Sequence, residues 1–229
     1  MTGNNNLITS FFETYFGSFE LRTVYTNTVP EEMMAGPVDE SGYFQWKPIK
    51  GNIHYKTYEE LMRKFKVVFP ESFVEWHKMY FFYDGDCSVV RLPYSVSSKP
   101  LCEIIDTVDN DLANELIKNE LYPFADEGND GGPLVFDGRI TKENNEFPIR
   151  FYDHEYGGDL EGLSEVIFSS FSKLLECLTH YIKEIQTRKS FEVIPEFFQI
   201  DPEGAGKTGI DYWLGWISME RENLENFGE

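Results

Sequence analysis

The run "EGAGKTGIDYW" (203–213) contains Gly206, Lys207 and Thr208 in the order that ends a phosphate-binding loop. In such loops glycines let backbone amides curl around phosphate, and the lysine neutralises its charge. The first glycine of that pattern falls on Asp201, however, and Glu203 shares the loop. Two carboxylates would then face a polyanion. At an effective dielectric of about 20, one such repulsion at about 4 Å costs about 4 kcal/mol, enough to cancel a good phosphate contact. The few residues after Thr208 also leave no room for a crossover helix and the acidic strand end that would hold magnesium. The run therefore reads as a Gly-rich turn, with Thr208 as N-cap and Asp211 as its capping-box partner at the start of a terminal helix.

In "DEGNDGGPLVFD" (126–137), Asp126, Asp130 and Gly131 match the first, fifth and sixth positions of a calcium loop, and Asp137 the twelfth. The third position is Gly128, and a strand-like run stands where a helix should begin. A polar turn between two strands is the simpler reading, with Gly131 and Gly132 at positive φ and Asp137 making an Asx hydrogen bond. Cys177 and His180, three apart on a helix, are half of a zinc site with nothing to supply the other half. His180 is expected to point away from the apolar stripe. Asp153, Glu155, Asp159 and Glu161 form the densest acidic cluster without an intervening Lys or Arg. Paired carboxylates can hydrolyse glycosides, but such a run is usually a solvated face. No GxSxG or Cys–His signature is present, so we expect no catalytic, cofactor-binding or metal-ligating residues and no enzyme.

The elements that would carry these groups can be read from periodicity. Leu7, Ile8, Phe11, Phe12, Tyr15 and Phe16 predict a helix over 6–16. Short strand-like pieces, "ELRTVYT" and "YFQWKPI", lie in the Pro- and Gly-broken stretch that follows. Thr57 and Glu60 have the spacing of a capping box for a helix burying Leu61, Met62, Phe65 and Val68. Pro70 ends that helix and begins a second one through Phe73, Val74 and His77. "MYFFYDGDCSVVRLP" predicts a β-hairpin turning at Asp84 and Gly85. Asn110 can cap another helix, and strands follow around 121–127, 133–137, "FPIRFYDHE" and "SEVIFSS". Phe171, Leu174, Leu175, Leu178, Ile182 and Ile185 predict a long core helix. "FEVIPEFFQI" reads as a further strand before the last helix, through Trp213 and Ile217. Helices, then an antiparallel meander, then a long helix make an α+β fold.

The chain has 229 residues, with 40 Asp plus Glu against 20 Lys plus Arg, a formal net charge of −20. That balance excludes a phosphate-backbone ligand, whose affinity comes from clustered cations, and opposes an anionic membrane surface. It suits a basic protein partner, whose encounter it steers. Cys87, Cys102 and Cys177 are odd in number and lack a CxxC pair, which is the usage of a reduced, cytoplasmic chain. No apolar run approaches the roughly 18 residues of a membrane span.

"KTYEELMRKFKVVFPESFVEWHKMY", the strand pair around "YDGDCSVV", "YPFADEGNDGGPLVFD", "PIRFYDHE" and "SSFSKLLECL" occur in this order over residues 57–186. In that order and spacing the chain resembles the SUKH superfamily, which includes the Smi/Knr-type cell-wall-assembly regulators. The pieces carrying the likeness are Glu59 to Pro70, Asp84-Gly85, Asp126 with Gly131 and Gly132, Asp153-His154-Glu155, and Phe171 to Leu178. The sequence departs from the pattern in its DGD turn, in an N-terminal elaboration over 1–56 and in a C-terminal extension over 187–229. The resemblance implies one α+β domain, non-catalytic, that in bacterial members neutralises a toxin as an immunity protein and in some eukaryotic members serves as a regulatory scaffold. A basic toxin domain, nuclease-like, is the expected partner. Neither nucleic acid, membrane nor a small-molecule substrate is expected. The charged contact is expected from Asp84, Asp86, Asp126, Glu127, Asp130, Asp153, Glu155, Asp159 and Glu161. Gly131, Gly132, Asp137 and Thr208 are expected to be structural.

Overall fold

The computed structural model describes residues 2–18, 23–25, 30–140 and 146–227. Helix α1 (Thr2–Ser18) buries Ile8, Phe11, Phe12 and Tyr15, four of the six residues that predict it. Two small antiparallel pairs follow: β1 (Thr23–Tyr25) with β2 (Tyr43–Gln45), and β3 (Ile49–Lys50) with β4 (Tyr80–Phe81). Between β3 and β4 run α2 (Tyr55–Phe65) and α3 (Glu71–His77), the latter starting on Pro70 as expected. Helix α2 opens at His54 without a side-chain cap, so Thr57 lies inside its first turn rather than at the cap. Lys66 takes a left-handed conformation that ends the helix, and Val68 is left exposed instead of joining the stripe.

The anticipated hairpin forms with its turn displaced beyond Asp84 and Gly85: antiparallel bridges join Phe82 to Ser95 and Asp86 to Arg91, and the Leu92 amide donates to the Gly85 carbonyl at 2.9 Å. Its first arm is β4, paired with β3, and its second is β5 (Val90–Arg91), which joins the main sheet. Asp84 accepts the Asp86 amide at 2.9 Å, and Asp86 accepts that of Ser88 at 2.7 Å. Two successive Asx turns therefore replace one two-residue turn, and the reversal falls on Ser88 at φ 71°.

Helices α4 (Cys102–Val108) and α5 (Asp111–Lys118) come next, α5 capped by Asn110, whose side-chain oxygen accepts the Ala113 amide at 2.8 Å. Strands β6 (Leu121–Glu127), β7 (Pro133–Asp137), β8 (Ile149–Tyr152) and β9 (Leu163–Phe168) follow. The five-stranded sheet is antiparallel throughout, in the order β5-β6-β7-β8-β9. Both faces of its centre are covered, which is why β6 and β7 read as continuous apolar runs instead of alternating. Phe124, Leu134 and Phe136 meet Phe73, Trp76 and Phe171 on one face, the last opening α6 (Phe171–Glu184). Leu121, Val135 and Tyr152 meet Leu116 of α5 on the other. The chain is thus α+β, with α1 packed on α6.

Asp137 closes β7 and is fully buried. The Arg139 guanidinium grips its carboxylate at 2.7 and 2.8 Å, Arg150 adds a contact at 2.7 Å, and the Arg139 amide makes the expected Asx bond at 3.2 Å. Burial alone would raise this carboxyl; the two guanidiniums outweigh it and hold it below its ordinary range.

"FEVIPEFFQI", expected as a strand, is helical: α7 (Ser190–Val193), a 3-10 turn with Pro195 in its opening positions, and α8 (Phe197–Ile200). Val193, Ile194 and Phe197 are its buried residues, a helical spacing. A π-helical turn, Gly204–Thr208, then leads into α9 (Ile210–Phe227).

Phe73 touches the rings of Phe69, Trp76, Phe124, Phe136 and Phe171. Phe73→Ala is expected to cost about 3–5 kcal/mol, measured as a lower urea midpoint with an unchanged slope.

Candidate functional site

The phosphate-loop likeness resolves first. Asp201, at the position a glycine would need, is buried and accepts the amides of Ser169 at 2.6 Å and Gly204 at 3.2 Å. A Cβ at Gly204 would overlap both the Asp201 carboxylate and the Ser169 amide, so the close approach requires glycine. Thr208 is not an N-cap: its hydroxyl donates to the Val166 carbonyl on β9 at 2.8 Å, and Asp211 forms no capping box with it. Trp213 Nε1 donates to the Ile167 carbonyl at 3.2 Å. Together they cover the outer edge of the sheet, the open hydrogen-bonding row that strands usually must protect. Lys207 is exposed and lies 3.4 Å from Glu203.

On the opposite side of the sheet, α4, α5 and the β6–β7 turn enclose a cleft of about 520 Å³. Glu103 and Asp106 from α4, Asp126 from β6, Asp130 from the turn and His154 from the β8–β9 connection line it, and no lysine or arginine does among the described residues. The turn is shaped from below. Glu127 is buried and its carboxylate accepts the amides of Asn129 at 2.7 Å and Gly131 at 3.1 Å. This removes Glu127 from the expected partner contacts and makes it the brace of the loop. Asp130 takes φ 64° and Gly132 φ 143°, whereas Gly131 does not have the positive φ expected of it. A Cβ at Gly132 would collide with the Tyr152 carbonyl. Arg91, on β5, ion-pairs with Asp130 and donates to the Glu127 carbonyl at 3.0 Å.

The charge in this cleft is not fully balanced. Burial raises the Glu103 carboxyl; a hydrogen bond from Tyr94 opposes the rise, and Asp106 and Asp126 add to it. Asp126 opens to the cleft, yet the surrounding protein withdraws enough water to raise its carboxyl, Arg91 pulling it back and Asp130 pushing it up. Carboxyls held neutral-leaning by burial and like charge are a recurrent mark of functional clefts.

Of the expected contact residues, the structure gathers Asp86, Asp126 and Asp130 around Arg91. Asp84 stands apart as a turn former, its backbone carbonyl accepting the Tyr15 hydroxyl at 2.7 Å. The cluster of 153–161 is a pair of capped 3-10 turns. Asp153 accepts the Glu155 amide at 3.0 Å and Asp159 that of Glu161 at 3.1 Å. Glu155 and Glu161 are exposed beside Tyr156 and Leu160, two of the exposed large apolar residues. His180 is partly exposed and hydrogen-bonded through Nε2 to Glu196, which Arg188 also holds at 2.7 Å. Cys177 is buried, and no group of three potential metal ligands occurs among the described residues. Sequence reasoning missed α4, and with it Glu103 and Asp106. Their three-residue spacing opposite Ile104 and Val108 was the available signal. No helix among the described residues is long and apolar enough to cross a membrane.

Comparison with protein-family models, with curated proteins and with solved structures gives no match.

Lys207→Ala is expected to leave stability unchanged, whereas Thr208→Val, which strips a carbonyl of its donor, should cost about 1 kcal/mol in chemical unfolding. Glu103 has a folded pKa above its unfolded one, so its contribution to stability is present at low pH and lost as pH rises through the folded value. Glu103→Gln is therefore expected to raise the melting temperature at about pH 7. The gain should vanish at acid pH, where the wild-type carboxyl is itself protonated; a gain that persists there would contradict the assignment.

Proposed function

We propose that this chain is a non-catalytic protein-binding domain, of the immunity type, that occludes a basic partner such as a nuclease-like toxin domain. The observation that carries this reading is the cleft between α4, α5 and the β6–β7 turn, with its four carboxylates and, among the described residues, no lining lysine or arginine. A cationic side chain entering it would neutralise Glu103 and Asp126, both held above their ordinary range, and so bind more tightly to the protein than to water-exposed acids. The neighbouring β8–β9 connection, linked to the cleft through His154, adds Tyr156 and Leu160 as apolar contacts beside Glu155 and Glu161. Desolvated aromatic anchors next to charge are what concentrates binding energy in protein interfaces. The likeness of residues 57–186 to the SUKH superfamily and the net charge of −20 support the same role.

The reading makes charge in the cleft decisive and charge in the capped turns secondary. Against a basic toxin domain encoded alongside it, the wild-type protein should restore growth on co-expression, and binding should weaken steeply with added salt. Glu103→Lys with Asp126→Lys should reduce affinity more than about tenfold and abolish protection, while Asp84→Asn should do neither. Failure of every such basic domain to bind would overturn the proposal. Salt-sensitive binding of an endogenous basic protein, without protection, would assign the cleft to the regulatory role instead.

A further inference from the structure

On the other side of α4 lies a second cavity of about 530 Å³, between the loop that leads into α2 and the turn that leads into α4. Its volume is within the roughly 300–1,000 Å³ range of small-molecule sites. Ile53, Leu101 and Ile105 give it an apolar floor, all three partly buried and packed on the core. Its rim carries Lys99 and His54.

The chemistry of this lining runs against the rest of the molecule. In a chain with 40 acidic residues, none of the described Asp or Glu lines the cavity, whereas the acidic cleft and a further one along α5, edged by Asp111 and Glu115, both carry carboxylates. Lys99 has no ion-pair partner among the described residues. Burial, with Glu103 and Asp106, raises the Cys102 thiol in the same lining, and the Lys99 ammonium opposes that rise. Helix α2 reaches the rim at His54 with no side-chain cap and no acid in its first turn.

We propose that this cavity binds a small amphipathic carboxylate, its alkyl body against Ile53, Leu101 and Ile105 and its carboxylate paired with Lys99. A purely apolar ligand would leave the Lys99 charge unused, and a small hydrophilic anion would leave the apolar floor wet. A carboxylate on a chain of about eight to ten carbons matches both features and the volume. The site is separate from the acidic cleft and goes beyond the protein-binding role.

Cys102 supplies the reporter, because it is the partly exposed thiol while Cys87 and Cys177 are buried. The full chain is treated with a maleimide in the presence of decanoate or of decanol, below the concentrations at which either aggregates. Decanoate is expected to slow Cys102 modification, with decanol about tenfold weaker. Lys99→Glu should weaken decanoate by about tenfold and leave decanol unchanged. Ile105→Asp should remove protection by both, its melting curve confirming that it folds. If Ile105→Asp does not fold, the Lys99→Glu comparison stands alone as the test. Absence of protection by decanoate, equal protection by decanol, or an unaffected Lys99→Glu variant would each overturn the proposal.

Discussion

Strands β6 and β7 have protein on both faces, and most of the architecture follows from having to cover them. On one side Phe124, Leu134 and Phe136 need a thick aromatic layer, which α3 and α6 provide through Phe73, Trp76 and Phe171. A ring cluster of this kind gains both buried area and edge-to-face contacts worth about 0.5–1.5 kcal/mol a pair. Helix α1 extends the same layer, since Phe11 and Phe12 meet Trp76. On the other side Leu121, Val135 and Tyr152 require only a shallow cover, and α5 supplies it with Leu116 and Leu112.

That shallow cover is what leaves room for the cleft. Helix α5 presses on the far end of the sheet, and α4 crosses nearer the β6–β7 turn without closing over it. The carboxylates of Glu103, Asp106, Asp126 and Asp130 therefore line a concavity instead of a flat surface. Glu103 and Asp126 would be better solvated elsewhere, so their placement runs against stability, in contrast to Asp137, where two guanidiniums make a buried acid acceptable. The same residue type is thus fully paired at the end of β7 and only partly compensated, by Arg91, at the end of β6. What differs is the supply of counter-charge.

The long periodic elements were legible in the sequence because their apolar spacing is set by one dominant packing partner: α1, α3, α6 and strands β6 to β9 all fall where periodicity puts them. The failures share a different cause. "FEVIPEFFQI" has the composition of a strand, yet its neighbours offer no free sheet edge, since the π-helical turn and Trp213 already occupy the outer side of β9. Thr208 has the type and position of an N-cap, but a tertiary acceptor, the Val166 carbonyl, takes its hydroxyl. Glu127 looked like a surface acid in a Gly-rich turn, and its inward role depends on amides that only the folded loop aligns. Local propensity carried no trace of these long-range competitors. Of the candidate site, Asp126 and Asp130 were legible as a polar turn, whereas Glu103 and Asp106 sit on a helix too short to announce itself.

Helix α4 shows how finely the two cavities are divided. Glu103 and Asp106 are three residues apart, and so are Cys102 and Ile105, which puts each pair on one face about a hundred degrees from the other. The first pair lines the acidic cleft and the second the apolar cavity. Seven residues thus separate a surface suited to cations from one suited to an amphipathic anion. The separation is not complete, because the Glu103 carboxylate helps burial raise the Cys102 thiol. A cation that neutralised Glu103 from the cleft side would weaken that push on the Cys102 thiol.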